Sequence, residues 1–237
     1  MDSAKTAVVR LSVIALLIPM LVLIARLGYH WSLARQVADC EAITRSLEQV
    51  DGVQRVPSGG ILMLGRNHLA RWRNVPDVLL GSDVVVRASP LYRPEAIAEC
   101  FQRAVAWYQP DITVLLLEMS DASRASDDVF LALDKLLRAR EHYGVSPHLV
   151  VIPPLDGPAF EAQLEQLQDF TVTLARWARA HPGVHVMPIG TRLYDATGAV
   201  DPSLYWPDGE TLFATGYERL EQGLREELRT TFGSQQL

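Results

Sequence analysis

The chain has 237 residues and a formal net charge of −6 at neutral pH. This length accommodates an N-terminal segment and one domain of about 180 residues, which is enough for a substantial apolar core. The first 35 residues carry four basic and one acidic side chain, whereas the remainder carries 18 basic and 27 acidic ones. An acidic domain argues against nucleic acid as a partner, because nucleic-acid binding depends on basic patches.

The N-terminus predicts a membrane anchor. After a short tail, residues 1–10, the stretch from Leu11 to Ala25 contains no charged residue, and Tyr29 and Trp31 follow it. As a helix this stretch rises about 22 Å, less than the ~30 Å of a bilayer core, but the aromatic residues extend it to interface depth. We therefore predict one transmembrane signal-anchor helix over residues 11–31.

A cleaved signal peptide is the competing interpretation. No small-x-small cleavage motif follows the apolar stretch at once, and Arg26 interrupts it, which favours an uncleaved anchor. Lys5 and Arg10 precede the span, and this charge bias favours a cytoplasmic N-terminus. The expected location is the inner membrane, as a single-pass protein with its domain in the periplasm or another extracytoplasmic space.

Residues 32–52 are predicted to form an amphipathic juxtamembrane helix. Apolar residues recur at three- and four-residue steps from Leu33 to Val50, and the helix is expected to end near Asp51-Gly52. Its apolar face either packs onto the domain or forms a seam for self-association or a partner. Packing is the favoured interpretation, because the stretch is too short for a typical coiled coil.

Cys40 and Cys100 are the two cysteines of the sequence. Neither has a second cysteine or a histidine at metal-ligand spacing, so no metal site is predicted from them. A disulfide is one interpretation, but we expect isolated buried thiols, because the two residues lie in different predicted helices.

The domain is expected over residues 57–232, where apolar strands alternate with helices. The predicted strands are Ile61–Leu64, Val84–Arg87, Ile112–Leu117, Leu149–Ile152 and Val184–Met187. The predicted helices are Pro94–Tyr108, Asp127–Tyr143, Ala159–Ala180 and Thr215–Thr231. The strands are rich in Val, Ile and Leu without alternation, which is typical of a parallel sheet covered on both faces. This order of elements indicates a doubly wound α/β fold.

Two loops late in the chain have unusual content. Pro153 to Pro158 is rich in proline and either shapes a pocket or protein contact, or is a stiff connector. The segment from Tyr194 to Asp208 is long for a connection and contains Tyr205 and Trp206. Its aromatic residues either line a carbohydrate or partner surface, or anchor the loop itself.

Two further segments carry a resemblance to a known family. Gly59 to Trp72 is a buried strand followed by a turn and a helix, and Trp206 to Leu220 is a loop with Asp208-Gly209-Glu210-Thr211 that opens the last helix. Both resemble sequence blocks of the SGNH (GDSL-type) hydrolases. The resemblance implies a flavodoxin-like, three-layer α/β/α sandwich with a five-stranded parallel sheet.

The family's catalytic positions hold different residues in this chain. Where the resemblance places the nucleophilic serine, the chain has Asn67, and where it places the catalytic histidine, the chain has Thr211. The glycine and the asparagine that donate to the oxyanion correspond to Pro90 and Ser120, and proline has no N–H to donate. Asp208 retains the acidic position of the last block.

These replacements remove the inherited reaction. Serine hydrolysis requires an activatable hydroxyl, a base within hydrogen-bond reach and oxyanion donors. An amide cannot be the nucleophile, a threonine hydroxyl cannot be the base, and losing one such group typically costs about 10⁶ in turnover. We therefore predict a pseudoenzyme with no catalytic residue, cofactor or metal. The candidate residues of its degenerate ligand-binding pocket are Asn67, His68, Pro90, Ser120, Asp121, Asp208 and Thr211.

Other residues offer little as substitutes. Ser82 precedes a predicted strand, at the end opposite the edge where such sheets bind ligands. Glu118, Asp121 and Asp208 could converge on a hard cation, but their spacing matches no metal motif.

The anchor and the resemblance together predict a membrane-anchored, catalytically inactive binding or assembly component of the bacterial cell envelope. Anchored relatives of this fold work beside membrane acyltransferases, which implies an accessory role in polysaccharide export or acetylation. The expected partners are the membrane and an envelope or membrane protein, with a glycan as a further candidate. Two alternatives are an active esterase or O-acetyltransferase with relocated catalytic residues, and a glycan-binding module.

Overall fold

The computed structural model describes residues 39–52, 59–72, 83–123 and 126–233, together with the single positions Met20, Ile24, Arg26 and Val75. The chain divides into two compact units, Met1–Glu41 and Ala42–Leu237. Apart from three single helical positions, the predicted anchor over residues 11–31 lies outside the described residues. Among the helices that the structure describes, none is long and apolar enough to cross a membrane.

The second unit is built on a parallel sheet. Its strands are β1 (Ile61–Gly65), β2 (Val84–Ala88), β3 (Ile112–Leu116), β4 (His148–Ile152) and β5 (Val184–Val186). They lie in the order β2-β1-β3-β4-β5, and every neighbouring pair is parallel. β1 and β3 are buried along their whole length, as expected for strands covered on both faces. The predicted five-stranded parallel sheet is confirmed, in the order of a flavodoxin-like doubly wound fold.

Helices precede, connect and follow the strands. They are α1 (residues 39–51), α2 (Asn67–Arg71), α3 (Pro94–Glu99), α4 (Phe101–Ala104), α5 (Met119–Ala122), α6 (Ser126–Tyr143), α7 (Leu164–Arg179) and α8 (Ala214–Phe232). Leu220 and Leu224 of α8 belong to the same buried cluster as Met63 of β1 and Val114 of β3. Burial of each such side chain contributes about 1.5–3 kcal/mol, so α8 holds the last sequence block against the sheet.

The helix predicted over Pro94–Tyr108 is wrong as a single element. The backbone leaves the helical region at Cys100 (φ −103°, ψ 21°) and at Val105 (φ −126°, ψ −59°). The segment therefore forms α3, α4 and a 3-10 turn at Ala106–Tyr108. No glycine or proline marks either break, so the sequence pattern continues across both.

The expectation for the cysteines is also wrong. Cys40 and Cys100 are both disulfide-bonded, and the described part of the chain contains no free cysteine. Residue spacing alone does not reveal whether a cysteine is paired, so the sequence could not decide between thiols and a disulfide.

The end of α1 packs onto the domain. Ile43 is fully buried, and the Asp51 carboxylate accepts hydrogen bonds from Arg87 Nη2 (2.6 Å), Arg103 Nη2 (2.7 Å) and the Tyr108 hydroxyl (2.9 Å). Burial alone would raise the pKa of Asp51, but these bonds outweigh burial and lower it below its ordinary value. For this part of the predicted juxtamembrane helix, the packing interpretation describes the structure.

Candidate functional site

The first residues of the candidate site directly follow β1, at one edge of the sheet. Gly65 is in close contact with α2, because a Cβ at Gly65 would lie 2.9 Å from Leu69 Cβ. The backbone then turns at Arg66 (φ −115°, ψ −122°), and Asn67 opens α2 with its side chain exposed. The sequence thus places Asn67, the residue at the nucleophile position, on the solvent side of a strand–turn–helix.

Arg66 fills the space between β1 and the segment after β3. Its Nη2 donates to Asp121 Oδ2 at 2.5 Å and to Ser120 Oγ at 3.0 Å. The side chains of Arg66 and Asp121 are only 9% and 1% exposed, so this is a charge-assisted contact shielded from water. Two of the predicted pocket residues are therefore bound to a cation of the same chain.

Glu118 orders the two short helices at this edge. Its Oε1 accepts the backbone N–H of His68 at 3.1 Å, and Asp121 Oδ2 in turn accepts the backbone N–H of Glu118 at 2.9 Å. Glu118 and Asp121 also form the capping box that begins α5. Backbone N–H groups and Arg66 thus bind Glu118 Oε1 and Asp121 Oδ2, which gives both carboxylates structural roles.

His68 is one of the two buried residues of α2. Its side chain is buried, and Nδ1 has no hydrogen-bond partner among the residues that the structure describes. Burial lowers the pKa of His68 to about 4, with Glu210 opposing this shift and Arg71 adding to it. The imidazole is therefore neutral near pH 7 and a weak base.

At the last loop, Thr211 joins Asp208 to α2. Its Oγ1 donates to Asp208 Oδ2 (2.7 Å) and accepts from Arg71 Nη1 (3.1 Å). The bond from the Thr211 hydroxyl, followed by those from the backbone N–H groups of Thr211 and Glu210, lowers the pKa of Asp208. Asp208 is thus ionised near neutral pH and is bound to residue 211, but the Thr211 hydroxyl cannot take up a proton at that pH.

Pro90 lies just beyond β2 at the same edge. The preceding residue continues the pairing of β1 and β2, since Ser89 N–H donates to the Gly65 carbonyl at 3.1 Å. Pro90 is exposed, and it takes no part in the contacts that connect the other candidate residues. Its lack of an N–H leaves position 90 unable to donate to an oxyanion.

Six of the seven candidate residues are thus connected through α2. Within α2, the backbone N–H of His68 donates to Glu118, and Arg71 donates to Thr211. Arg66, in the turn before α2, donates to Ser120 and Asp121. Sequence reasoning missed Arg66 and Arg71. Adjacency to Asn67 could have indicated Arg66, and the four-residue step from Asn67 places Arg71 on the same helix face.

Two side-chain hydroxyls lie among the candidate residues of the described part of this edge. The Ser120 hydroxyl accepts from Arg66 and the Thr211 hydroxyl donates to Asp208, so neither is paired with an imidazole. Arg66, which binds Asp121, immediately precedes Asn67 in the chain. The described residues of this edge offer polar side chains that take part in hydrogen bonds.

No family model and no curated protein matches the chain. Solved structures do match it. A protein from Streptococcus pneumonia, provisionally described as a platelet activating factor, has a TM-score of 0.66 at 17% identity over 85% of this chain and 98% of its own. A GDSL-like lipase from Bacteroides thetaiotaomicron has a TM-score of 0.63 at 13% identity, over 80% and 98%. A catalytic mutant of an acetylxylan esterase from Geobacillus stearothermophilus has a TM-score of 0.57 at 10% identity, over 74% and 96%.

The chain has the fold of the SGNH (GDSL-type) hydrolases. The match spans nearly the whole of each neighbour, so the elements around β1, β3 and the last loop are those of the SGNH fold and not an isolated motif. At identities of 10–17% the likeness establishes the fold. Activity depends on the residues at the edge of the sheet, because one fold supports many functions.

Proposed function

We propose that this chain is a membrane-anchored SGNH-fold pseudoenzyme that serves as a binding or assembly component of the bacterial cell envelope. Its role is accessory to the export or acetylation of a polysaccharide. The observation that carries the proposal is the contact of Arg66 with Ser120 and Asp121 beside Asn67. It puts a bound cation next to position 67, where a hydrolase of this fold needs a reactive hydroxyl.

Loss of catalysis is supported at each chemical step. Asn67 has no hydroxyl, the buried His68 imidazole has a pKa of about 4, and Pro90 has no N–H. A reaction that depends on nucleophile, base and oxyanion donors together has no route through these groups. The alternative of an active esterase would need a nucleophile from elsewhere in the chain.

A binding role is supported by aromatic residues on the last loop. Trp206 and Phe213 are 53% and 36% exposed, and their ring centroids lie 4.9 Å apart. They flank Asp208 and Thr211 in the sequence, at the edge that carries the candidate residues. Exposed aromatic side chains beside a polar site are typical of surfaces that bind a partner or a ligand.

An extracytoplasmic location is supported by the cysteines and by the N-terminus. Cys40 and Cys100 are disulfide-bonded, and disulfides persist in oxidising compartments such as the bacterial periplasm. The charge-free stretch from Leu11 to Ala25 supplies the anchor. The neighbours suggest the process, since one acts on acetylated xylan and another is a GDSL-like lipase.

The proposal is tested in the source strain by deleting the gene and measuring the amount and O-acetyl content of envelope polysaccharide. We expect a defect that is restored by the wild-type gene and by Asn67→Ala, but not by a variant in which a cleavable signal peptide replaces residues 1–31, so that the domain is exported without its anchor. This anchorless variant is compared at matched abundance, and its presence in the soluble periplasmic fraction is measured by cell fractionation. An unchanged polysaccharide after deletion, or full rescue by the anchorless variant, would contradict the proposal.

A further inference from the structure

A cavity opens between the loop after β4 and the loop after β5. Its volume is about 320 Å³, which lies at the lower end of the range for small-ligand sites. The residues that matter for its chemistry are Pro158, Glu161, Gln168, Tyr194 and Pro202. None of the seven candidate residues of the degenerate site lines it.

The lining combines an apolar platform with a polar rim. The Tyr194 ring and the two prolines offer flat apolar surface, and Glu161 and Gln168 offer a carboxylate and an amide. No lysine, arginine or histidine is among the lining residues, so the cavity has nothing with which to neutralise an anion. Its acceptors suit a ligand that donates hydrogen bonds from hydroxyl groups.

Asp156 accepts hydrogen bonds from two tyrosines, one of which, Tyr194, lines the cavity. The Tyr194 hydroxyl donates to Asp156 Oδ2, and the Tyr205 hydroxyl donates to the Asp156 carbonyl oxygen. Both phenol groups are thus satisfied within the protein, and the Tyr194 ring is held in one orientation. A ring fixed in this way costs little entropy when a ligand stacks on it.

The two loops that form the cavity are themselves ordered by backbone contacts. A Cβ at Gly157 would lie 2.6 Å from the Gly209 carbonyl oxygen, and that oxygen accepts the Ala159 N–H at 3.1 Å. On the other side Tyr194 forms a β-bridge with Val200. The site is therefore preformed. The loop after β4 contacts Gly209, which is the residue next to Asp208.

The geometry points to a binding site for an uncharged sugar residue of a glycan in this cavity. The apolar face of a pyranose ring stacks on Tyr194, while its hydroxyl groups donate to the Glu161 carboxylate and to the Gln168 amide oxygen. The residues Pro158, Tyr194 and Pro202 of this site belong to the two loops, Pro153–Pro158 and Tyr194–Asp208, whose unusual content the sequence indicated. The site extends the proposed function and is independent of whether Asn67, Thr211 and their neighbours have lost catalysis.

The test is a titration of the full-length protein, purified in a detergent without a sugar headgroup, with oligosaccharides of defined charge. The neutral probes are tetramers of β-1,4-linked glucose, xylose and N-acetylglucosamine; tetragalacturonate is the anionic probe and spermidine the cationic one. Binding is measured by isothermal titration calorimetry and by saturation-transfer NMR. Four variants accompany the wild type: Tyr194→Ala, Tyr194→Phe, Glu161→Gln and, as a matched control outside the cavity, Glu165→Gln.

We expect at least one neutral tetramer to bind at millimolar concentration or tighter. Tyr194→Ala should weaken that binding roughly tenfold, equivalent to about 1.4 kcal/mol, Tyr194→Phe less because it keeps the ring, and Glu165→Gln not at all. The inference is overturned if no neutral tetramer binds, if spermidine or tetragalacturonate binds more tightly, or if Tyr194→Ala binds like the wild type while remaining folded by circular dichroism. Fluorophosphonate reactivity plays no part in this readout, so failure here and failure of the pseudoenzyme proposal are distinguishable.

Discussion

The guanidinium of Arg66 lies 2.5 Å from the carboxylate of Asp121, across the boundary between β1 and the segment after β3. Both side chains are almost fully buried. A buried pair is costly to break from one side, because the remaining charge keeps its desolvation penalty and loses its partner. The contact between Arg66 and Asp121 therefore contributes to the stability of the fold at the edge of the sheet that carries Asn67.

Removing the carboxylate of this pair should destabilise the protein strongly. Asp121→Ala leaves Arg66 buried and uncompensated, and we expect the free energy of unfolding to fall by about 3–5 kcal/mol. The matched control is Glu99→Gln, which breaks an ion pair with Lys135 whose side chains are 35% and 43% exposed; there the loss should stay below about 1 kcal/mol. Urea unfolding followed by circular dichroism measures both, and equal losses would refute the structural role of the buried pair.

Restoring the nucleophile alone should not restore catalysis. In Asn67→Ser the new hydroxyl has no base, since position 211 is a threonine bound to Asp208. Hydrolysis of p-nitrophenyl acetate by this variant should remain at the wild-type background. Adding Thr211→His places an imidazole beside Asp208, and the double variant should exceed that background. A single variant that already turns over ester would show that a base exists elsewhere at this edge.

Much of the fold was predictable because the residues that indicate each strand or helix are neighbours in the sequence. Apolar runs located all five strands, and each strand in the structure ends within one residue of its predicted bounds. The site was predictable only in part. Asn67, Asp208 and Thr211 follow from motif spacing, but the partners of Arg66 lie 54 and 55 residues away along the chain. Such a contact depends on the sheet order, which no local pattern contains.

The pH dependence of stability should report on Asp156. Burial raises its pKa from the ordinary value of 3.8 to about 6. The stability contributed by its protonated form is fully present below pH 3.8 and is lost as the pH rises through about 6. Asp156→Asn keeps an acceptor for Tyr194 but does not titrate, so its stability relative to wild type should increase between about pH 4 and pH 7. Chemical denaturation across that range measures the difference in stability between the variant and the wild type. A difference that does not change with pH would contradict the raised pKa of Asp156.

The cysteines give a direct readout of the compartment. If the domain folds outside the cytoplasm, protein isolated from cells under acid quench should have Cys40 and Cys100 oxidised. Alkylation with iodoacetamide before and after reduction, followed by intact mass analysis, counts the free thiols. Full alkylation before reduction would place the domain in a reducing compartment.

The central claim, that the SGNH fold of this chain has lost its nucleophile, is tested most directly by fluorophosphonate labelling of the full-length protein with intact mass analysis. A folded SGNH esterase with its serine in place serves as the positive control. The account predicts no covalent adduct on this chain under conditions that label the control completely. Stoichiometric labelling, with peptide mapping to identify the serine, would contradict it and establish an active enzyme with a relocated nucleophile.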